Sequence, residues 1–332
     1  MASKALFEGL GDGVNVRVLA SHMASKGMFV EICCSRNRGT VSMPAILQQS
    51  ERFKGETREA FKTYVSNGRF SIIPARYDKE LDKVESAIRY KLSKACITDG
   101  YMSLTDFEAF KIEFNAAVDD YNTVRDSIVN LWDNIVEDFK AGLEYILSGY
   151  ELGMREVAAV RKEIYDAIPS KEDYRNSFKL TVKVRPFDAQ PDVSLYPPDL
   201  GKEMTEDWIE TVVENATSCI AACAQDVFTI CSGIVARYVD QSYINQNSIN
   251  GLMSVAGRVR RNNLFNNPLL ASAADRLEKL QNIGDIDEQE MVIEEVLLDI
   301  YSYCKQNNVH LEIVKKGLSK KTLEQMLALR SM

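Results

Sequence analysis

The sequence predicts a mainly α fold with a small β element (α+β): long antiparallel helices forming a coiled-coil or bundle shaft beside a small mixed head. Two apolar stripes and one alternating run carry that expectation. From Thr105 to Leu147, apolar residues fall every three or four positions with no proline, through Phe107, Phe114, Tyr121, Ile128, Leu131, Ile135, Phe139 and Leu143. That spacing lines one face of a helix, roughly 60 Å long if unbroken. A second stripe runs from Thr205 to about Asp240 through Trp208, Val212, Ala216, Cys219, Cys223, Val227, Ile230 and Ile234. Between them Phe178, Leu180, Val182 and Val184 alternate with Lys179, Thr181, Lys183 and Arg185, the period of a half-buried strand.

The elements follow in chain order. Residues 1–76 form the small α/β head. Val14–Ala20 and Met28–Cys34 are β-rich runs, Pro44 to about Asn67 reads as a helix stopped by Asn67-Gly68, and Arg69–Ala75 is a third strand with Pro74 at its end or edge. Residues 77–170 are the long helical segment: an amphipathic helix over Lys79–Ala95, then a break at Asp99-Gly100. Thr105-x-x-Glu108 is a capping box opening the first long stripe. Residues 171–201 hold the alternating strand and a linker carrying Pro191, Pro197 and Pro198. Residues 202–332 form a C-terminal helical bundle, with further helices over Ser248–Arg261, Leu269–Ile283, Asp287–Gln306 and Ser319–Leu329. The strands are expected in one small sheet.

Composition narrows the function. The chain has 332 residues, is 45% hydrophobic and 27% charged, and carries a formal charge of −8. That balance is globular, and the acidity disfavours a dedicated duplex-DNA binder, whose affinity rests on neutralising phosphates. No signal peptide opens the sequence. Cys219–Ala236 is the most membrane-like stretch, but Gln225 and Asp226 interrupt it, so it reads as a buried helix. Seven cysteines in no regular framework point to reduced thiols and a cytoplasmic setting.

Catalytic and metal motifs fail on their chemistry. Asp99–Phe107 mimics the second half of a calcium loop, but its first ligand positions would be Ala95 and Ile97, which offer no oxygen. Gly9-Leu-Gly11-Asp-Gly13 lacks both a preceding strand and the downstream Lys of a phosphate loop. Cys219, Cys223 and Cys231 share a helix face without a nearby histidine, and they read as small buried hydrophobes. The two histidines, His22 in a turn and His310 on a short apolar run, have no nucleophile elbow beside them. Paired acids such as Asp119-Asp120 and Asp285–Glu290 sit on helices, where carboxylates are commonly solvated. No metal, cofactor or catalytic residue is expected. The most pointed polar cluster is Gly257-Arg258-Val259-Arg260-Arg261-Asn262-Asn263, in which Arg258, Arg260, Arg261 and Asn262 could grip phosphates or an acidic partner. The competing reading is a helix end, with cations in the last turn and Asn262-Asn263 at the C-cap. Lys315, Lys316, Lys320 and Lys321 form a second basic patch.

The early strand, Ser66-Asn67-Gly68-Arg69-Phe70 with Ile72-Ile73-Pro74, the helical run beyond, and Ser248–Phe265 (SINGLMSVAGRVRRNNLF) together resemble an uncharacterised family of bacteriophage and plasmid proteins, a domain of unknown function. Members are often encoded near MoxR-type AAA+ ATPases and von Willebrand factor A-like proteins. The resemblance implies an accessory or adaptor role and brings no catalytic residues. The expected function is therefore a non-enzymatic, cytoplasmic interaction protein that binds protein partners or self-assembles. Its helix–helix interface would use Phe107, Phe114, Tyr121, Ile128, Ile135, Trp208, Val212 and Val227. The alternative is a nucleic-acid-binding accessory factor using Arg258, Arg260 and Arg261. A membrane partner is not expected.

Overall fold

A computed structural model describes residues 6–7, 15–48, 64–66, 68–98, 100–187, 190–241, 244–315 and 317–330. The fold is mainly α with a small β element. The chain divides into two compact units, one of residues 1–30, 95–107 and 184–332, the other of residues 31–94 and 108–183. These units have other bounds than the four consecutive segments expected from the sequence pattern, each unit joining stretches far apart in sequence.

Among the described residues the strands form two sheets rather than one. In the first, the order is β5 (Tyr101–Ser103), β1 (Gly27–Ser35), β6 (Lys179–Pro186). Gly27 pairs with Ser103 and Phe29 with Tyr101. A Cβ at Gly27 would stand 2.4 Å from the Met102 carbonyl oxygen and 2.7 Å from the Tyr101 ring, so only glycine allows this approach. In the second, β4 (Arg69–Ser71) lies between β2 (Thr40–Ser42) and β3 (Val65–Ser66). Gly68, at φ +71°, lies between β3 and β4, which pair as a hairpin where the sequence suggested a helix stop. Of the helix expected over Pro44–Asn67, α2 (Ala45–Gln48) is seen, while residues 49–63 and Asn67 lie outside the described residues.

In the unit containing the termini, α1 (Val16–Lys26) occupies the stretch expected as the first strand. Asn15 caps it by accepting from the Val18 amide at 3.1 Å, and Leu19, Ala20 and Met23 bury one helical face, which outweighs the β-preference of Val16 and Val18. The 44-residue α8 (Pro198–Gln241) is the central helix. It starts seven residues before the expected Thr205, with Pro198 at its first position. Against it pack α1, α9 (Gln246–Asn262), α10 (Pro268–Lys279) and α11 (Ile286–Gln306), and α12 (Lys320–Arg330) packs on α11. Residues 198–238 are long and apolar enough to cross a membrane, but 56% of the most apolar stretch is buried, and Val212, Cys219, Val227, Phe228 and Ile234 are buried along the helix. Asn245, Asn267 and Asp285 cap α9, α10 and α11 with their side-chain oxygens.

The second unit carries α3 (Ala75–Ala95) up to Lys94, most of α4 (Leu104–Asn130), then α5 (Trp132–Ser148), α6 (Met154–Asp166) and α7 (Lys171–Asn176). The stripe expected as one helix is two. Leu131, at φ −95° and ψ 7°, forms a turn between them, its amide reaching the carbonyls of Ser127 and Ile128 at 3.3 and 3.1 Å. This tightening exposes Leu131 and turns Trp132 inward, where its ring stacks on Tyr174 with centroids 4.4 Å apart. Arg36, with a side chain only 4% exposed, ties β1 to α3 through Asp78, through Asp82 at 2.6 Å and through Glu85 at 2.9 Å. The α4 cap falls two residues before the expected box. Ser103 Oγ accepts from the Asp106 amide at 3.0 Å and donates to the Asp106 carboxylate at 3.0 Å.

Candidate interaction surface

The predicted arginine cluster is the end of a helix held in place by acids. Arg258 Nε lies 2.7 Å from Asp226, Arg260 reaches Asp275 at 2.5 Å and Glu278 at 2.7 Å, and Arg261 lies 3.5 Å from Asp106. All four partners belong to the same compact unit. Glu278 is held below the ordinary carboxylate range by its hydrogen bond to Arg260. Asn262 is buried, and Asn263 forms the C-cap through its amide to the Val259 carbonyl, as the competing reading required. An exposed grip of three uncommitted cations is therefore not what these residues form. Of the second basic patch, Lys315, Lys320 and Lys321 are exposed, and Lys316 lies outside the described residues.

The predicted interface residues are placed in the core. Phe114, Tyr121, Ile128 and Ile135 are buried in the second unit, Val212 and Val227 in the first, and Phe107 and Trp208 are half-buried. Both stripes thus pack inside the chain and leave little apolar area for another molecule. The calcium-like segment resolves into β5 and the Ser103 cap, with Asp99 and the glycine loop at residues 9–13 outside the described residues. Cys219, Cys223 and Cys231 are buried on α8, and burial pushes the Cys219 and Cys231 thiols up to about 12. No group of three or more His, Cys, Asp or Glu among the described residues is arranged to hold a metal. His22 sits on α1 rather than in a turn, its Nε2 at 2.5 Å from the Leu264 carbonyl oxygen.

A surface that sequence reasoning passed over lies between α11 and α12. There an open cleft of about 430 Å³ is lined on α11 by Asp287, Glu290, Met291, Glu294, Glu295 and Leu298. These positions are spaced 0, 3, 4, 7, 8 and 11 along a helix, so they share one face. Met326, Leu329 and Arg330 line it from α12. Met291 is 56% exposed and Leu329 72% exposed, large apolar side chains facing solvent beside a concave surface. Their neighbours' charges are partly satisfied. Glu295 pairs with Arg276 at 2.6 Å, Arg330 pairs with Asp299 at 2.7 Å, and Asp287 accepts from the Tyr238 hydroxyl at 2.5 Å. Glu290 and Glu294 have no ion pair with a cation among the described residues. Burial first, then the charges of Glu294 and Asp287, hold the Glu290 carboxyl above its ordinary range. The signal was present in the sequence as a Met-centred run of acids at helical spacing, but acids on an exposed helix face are too common to stand out.

No protein family, curated protein or solved structure matches the chain.

Proposed function

We propose that this is a non-enzymatic interaction or adaptor protein, acting in the cytoplasm, whose partner surface is the cleft between α11 and α12. The observation that carries the reading is the pair of exposed apolar side chains, Met291 and Leu329, at a concave site ringed by carboxylates. Such surfaces stabilise a complex by excluding water from the apolar centre while the charged rim orients the partner. The phage-type accessory role implied by the resemblance fits this reading, with an AAA+ ATPase as one class of partner. The buried stripes of α4, α5 and α8 are intramolecular packing here and move the expected interface away from the long helices. Nothing favours the nucleic-acid alternative, since Arg258, Arg260 and Arg261 each sit beside a carboxylate.

The test is light scattering on the purified chain together with partner capture from host extract, wild type against Met291→Glu. A charge placed at the centre of the cleft should release a captured partner or dissolve an oligomer. A monomer whose captured proteins are the same for both forms overturns the proposal.

A further inference from the structure

Resting on that reading, we propose that the α11–α12 cleft receives a cationic amphipathic helix from a partner protein. The floor and the rim make different demands. Met291, Leu298, Met326 and Leu329 offer an apolar floor with two flexible methionines, which adapt to the side chains of an inserted helix. The rim holds four carboxylates, Asp287, Glu290, Glu294 and Glu295, of which Glu295 is paired with Arg276 at 2.6 Å, and the one guanidinium lining the cleft is that of Arg330.

That guanidinium is already engaged by Asp299, so it does not neutralise the rim. Glu290 and Glu294 lie four positions apart on α11, where like charges repel one another. Lys or Arg side chains on a docked helix would relieve that repulsion while its apolar face covered Met291 and Leu329. The lining face spans residues 287–298, roughly 16 Å of helix, which matches an occupant of about three turns. A phosphate backbone or an anionic membrane would meet repulsion at this rim.

The experiment uses the full-length protein and three fluorescein-labelled peptides of about four turns. The first carries a leucine stripe flanked by lysines, the second the same stripe flanked by glutamates, and the third the first peptide's residues in scrambled order. The lysine helix should bind about ten-fold more tightly than either control at low salt, and the difference should shrink as salt rises. Glu290→Gln with Glu294→Gln should weaken it about ten-fold, and Met291→Ser should weaken it with the salt dependence unchanged. Both variants alter exposed or half-exposed side chains, and their folding is checked by circular dichroism.

The outcomes separate the two claims. Glutamate helix bound as tightly as lysine helix, with loss on Met291→Ser, keeps the cleft as an interaction site and overturns its preference for cations. Scrambled peptide bound equally well, or binding unchanged in the double glutamine variant, overturns the inference as diffuse charge attraction. A dimer that Met291→Ser dissolves, with no peptide bound, makes a second copy of this chain the occupant and likewise overturns it. No peptide bound by a monomeric protein overturns the inference, and unchanged partner capture with Met291→Glu would then overturn the interaction reading as well.

Discussion

Two acidic helix faces in this molecule have nearly the same sequence pattern and opposite fates. On α3, Asp78, Asp82 and Glu85 are spaced 0, 4 and 7; on α11, Asp287, Glu290 and Glu294 are spaced 0, 3 and 7. The first face is met by Arg36, which reaches all three acids, and more loosely by Arg38, 3.8 Å from Asp78 and Asp82, both about forty residues earlier. The Arg36 side chain is 4% exposed and meets all three acids, so a buried guanidinium has its charge matched by carboxylates at the edge of the site. Among the described residues the second face has no such cation for Glu290 or Glu294, and it stays open to solvent beside Met291. The comparison separates an acid cluster used to hold the fold from one left available to another molecule. What decides is the location of a distant cation, which helical spacing cannot reveal.

Substitutions can break or sharpen this contrast. The largest effect is expected for Arg36→Ala, which leaves half-buried Glu85 without its cation and Asp78 and Asp82 with only the looser Arg38, and should cost about 2 kcal/mol after solvent screening of the exposed acids. Chemical denaturation measures it, and a loss below ~0.5 kcal/mol would show that the α3 acids do not depend on Arg36. Asp106 is the intermediate case, an acid held by the Ser103 cap and 3.5 Å from Arg261. Ser103→Ala should cost about 1 kcal/mol in the same assay.

On the open face the sign reverses. Glu290→Gln removes a repelled carboxylate and should stabilise the protein at neutral pH by about 0.2–0.5 kcal/mol. Because the folded protein holds the Glu290 proton more tightly than the unfolded chain, its contribution favours folding at low pH. That contribution is lost as pH rises from the ordinary 4.5 through the raised folded value. Thermal melts across that window should therefore show a shallower fall for Glu290→Gln than for wild type, and parallel curves would contradict the assigned shift. The smallest effect is expected for Arg260→Ala, whose exposed pairs with Asp275 and Glu278 are screened by water and salt. Its melting temperature should stay close to wild type, and a large drop would place Arg260 with Arg36 in the structural class.

Thiol chemistry gives an independent check on the core. Cys219, Cys223, Cys231 and Cys304 are buried, with the Cys304 thiol, like those of Cys219 and Cys231, pushed up to about 12. A thiol reagent at pH 8 should leave these four unmodified until denaturant is added. Rapid reaction of all seven cysteines would contradict the placement of α8.

The mainly helical class and most helix positions were legible because each helix buries a stripe of regular spacing. The period-two run at residues 178–185 likewise became β6. Failures arose where an energy term absent from local pattern took over. At Val16–Ala20, a side-chain cap and the burial of Leu19 and Met23 override β-branching. At Leu131, Trp132 turns inward to stack on Tyr174, and the continuous stripe becomes two helices. The arginines at 258–261 read as a grip because their partners Asp226, Asp275, Glu278 and Asp106 lie outside the motif. The α11–α12 cleft stayed hidden because it needs two helices, one of which shows its acids as an ordinary solvated face.

The chain enters the unit of residues 31–94 and 108–183 twice and leaves it twice, through β1, α3, α4 and β6. Neither unit can be released by cutting the gene at a single point. A truncation ending anywhere from residue 31 to residue 178 leaves the first unit without α8 and the second without its final strand. Stopping the chain at one point in that range therefore disrupts both units at once.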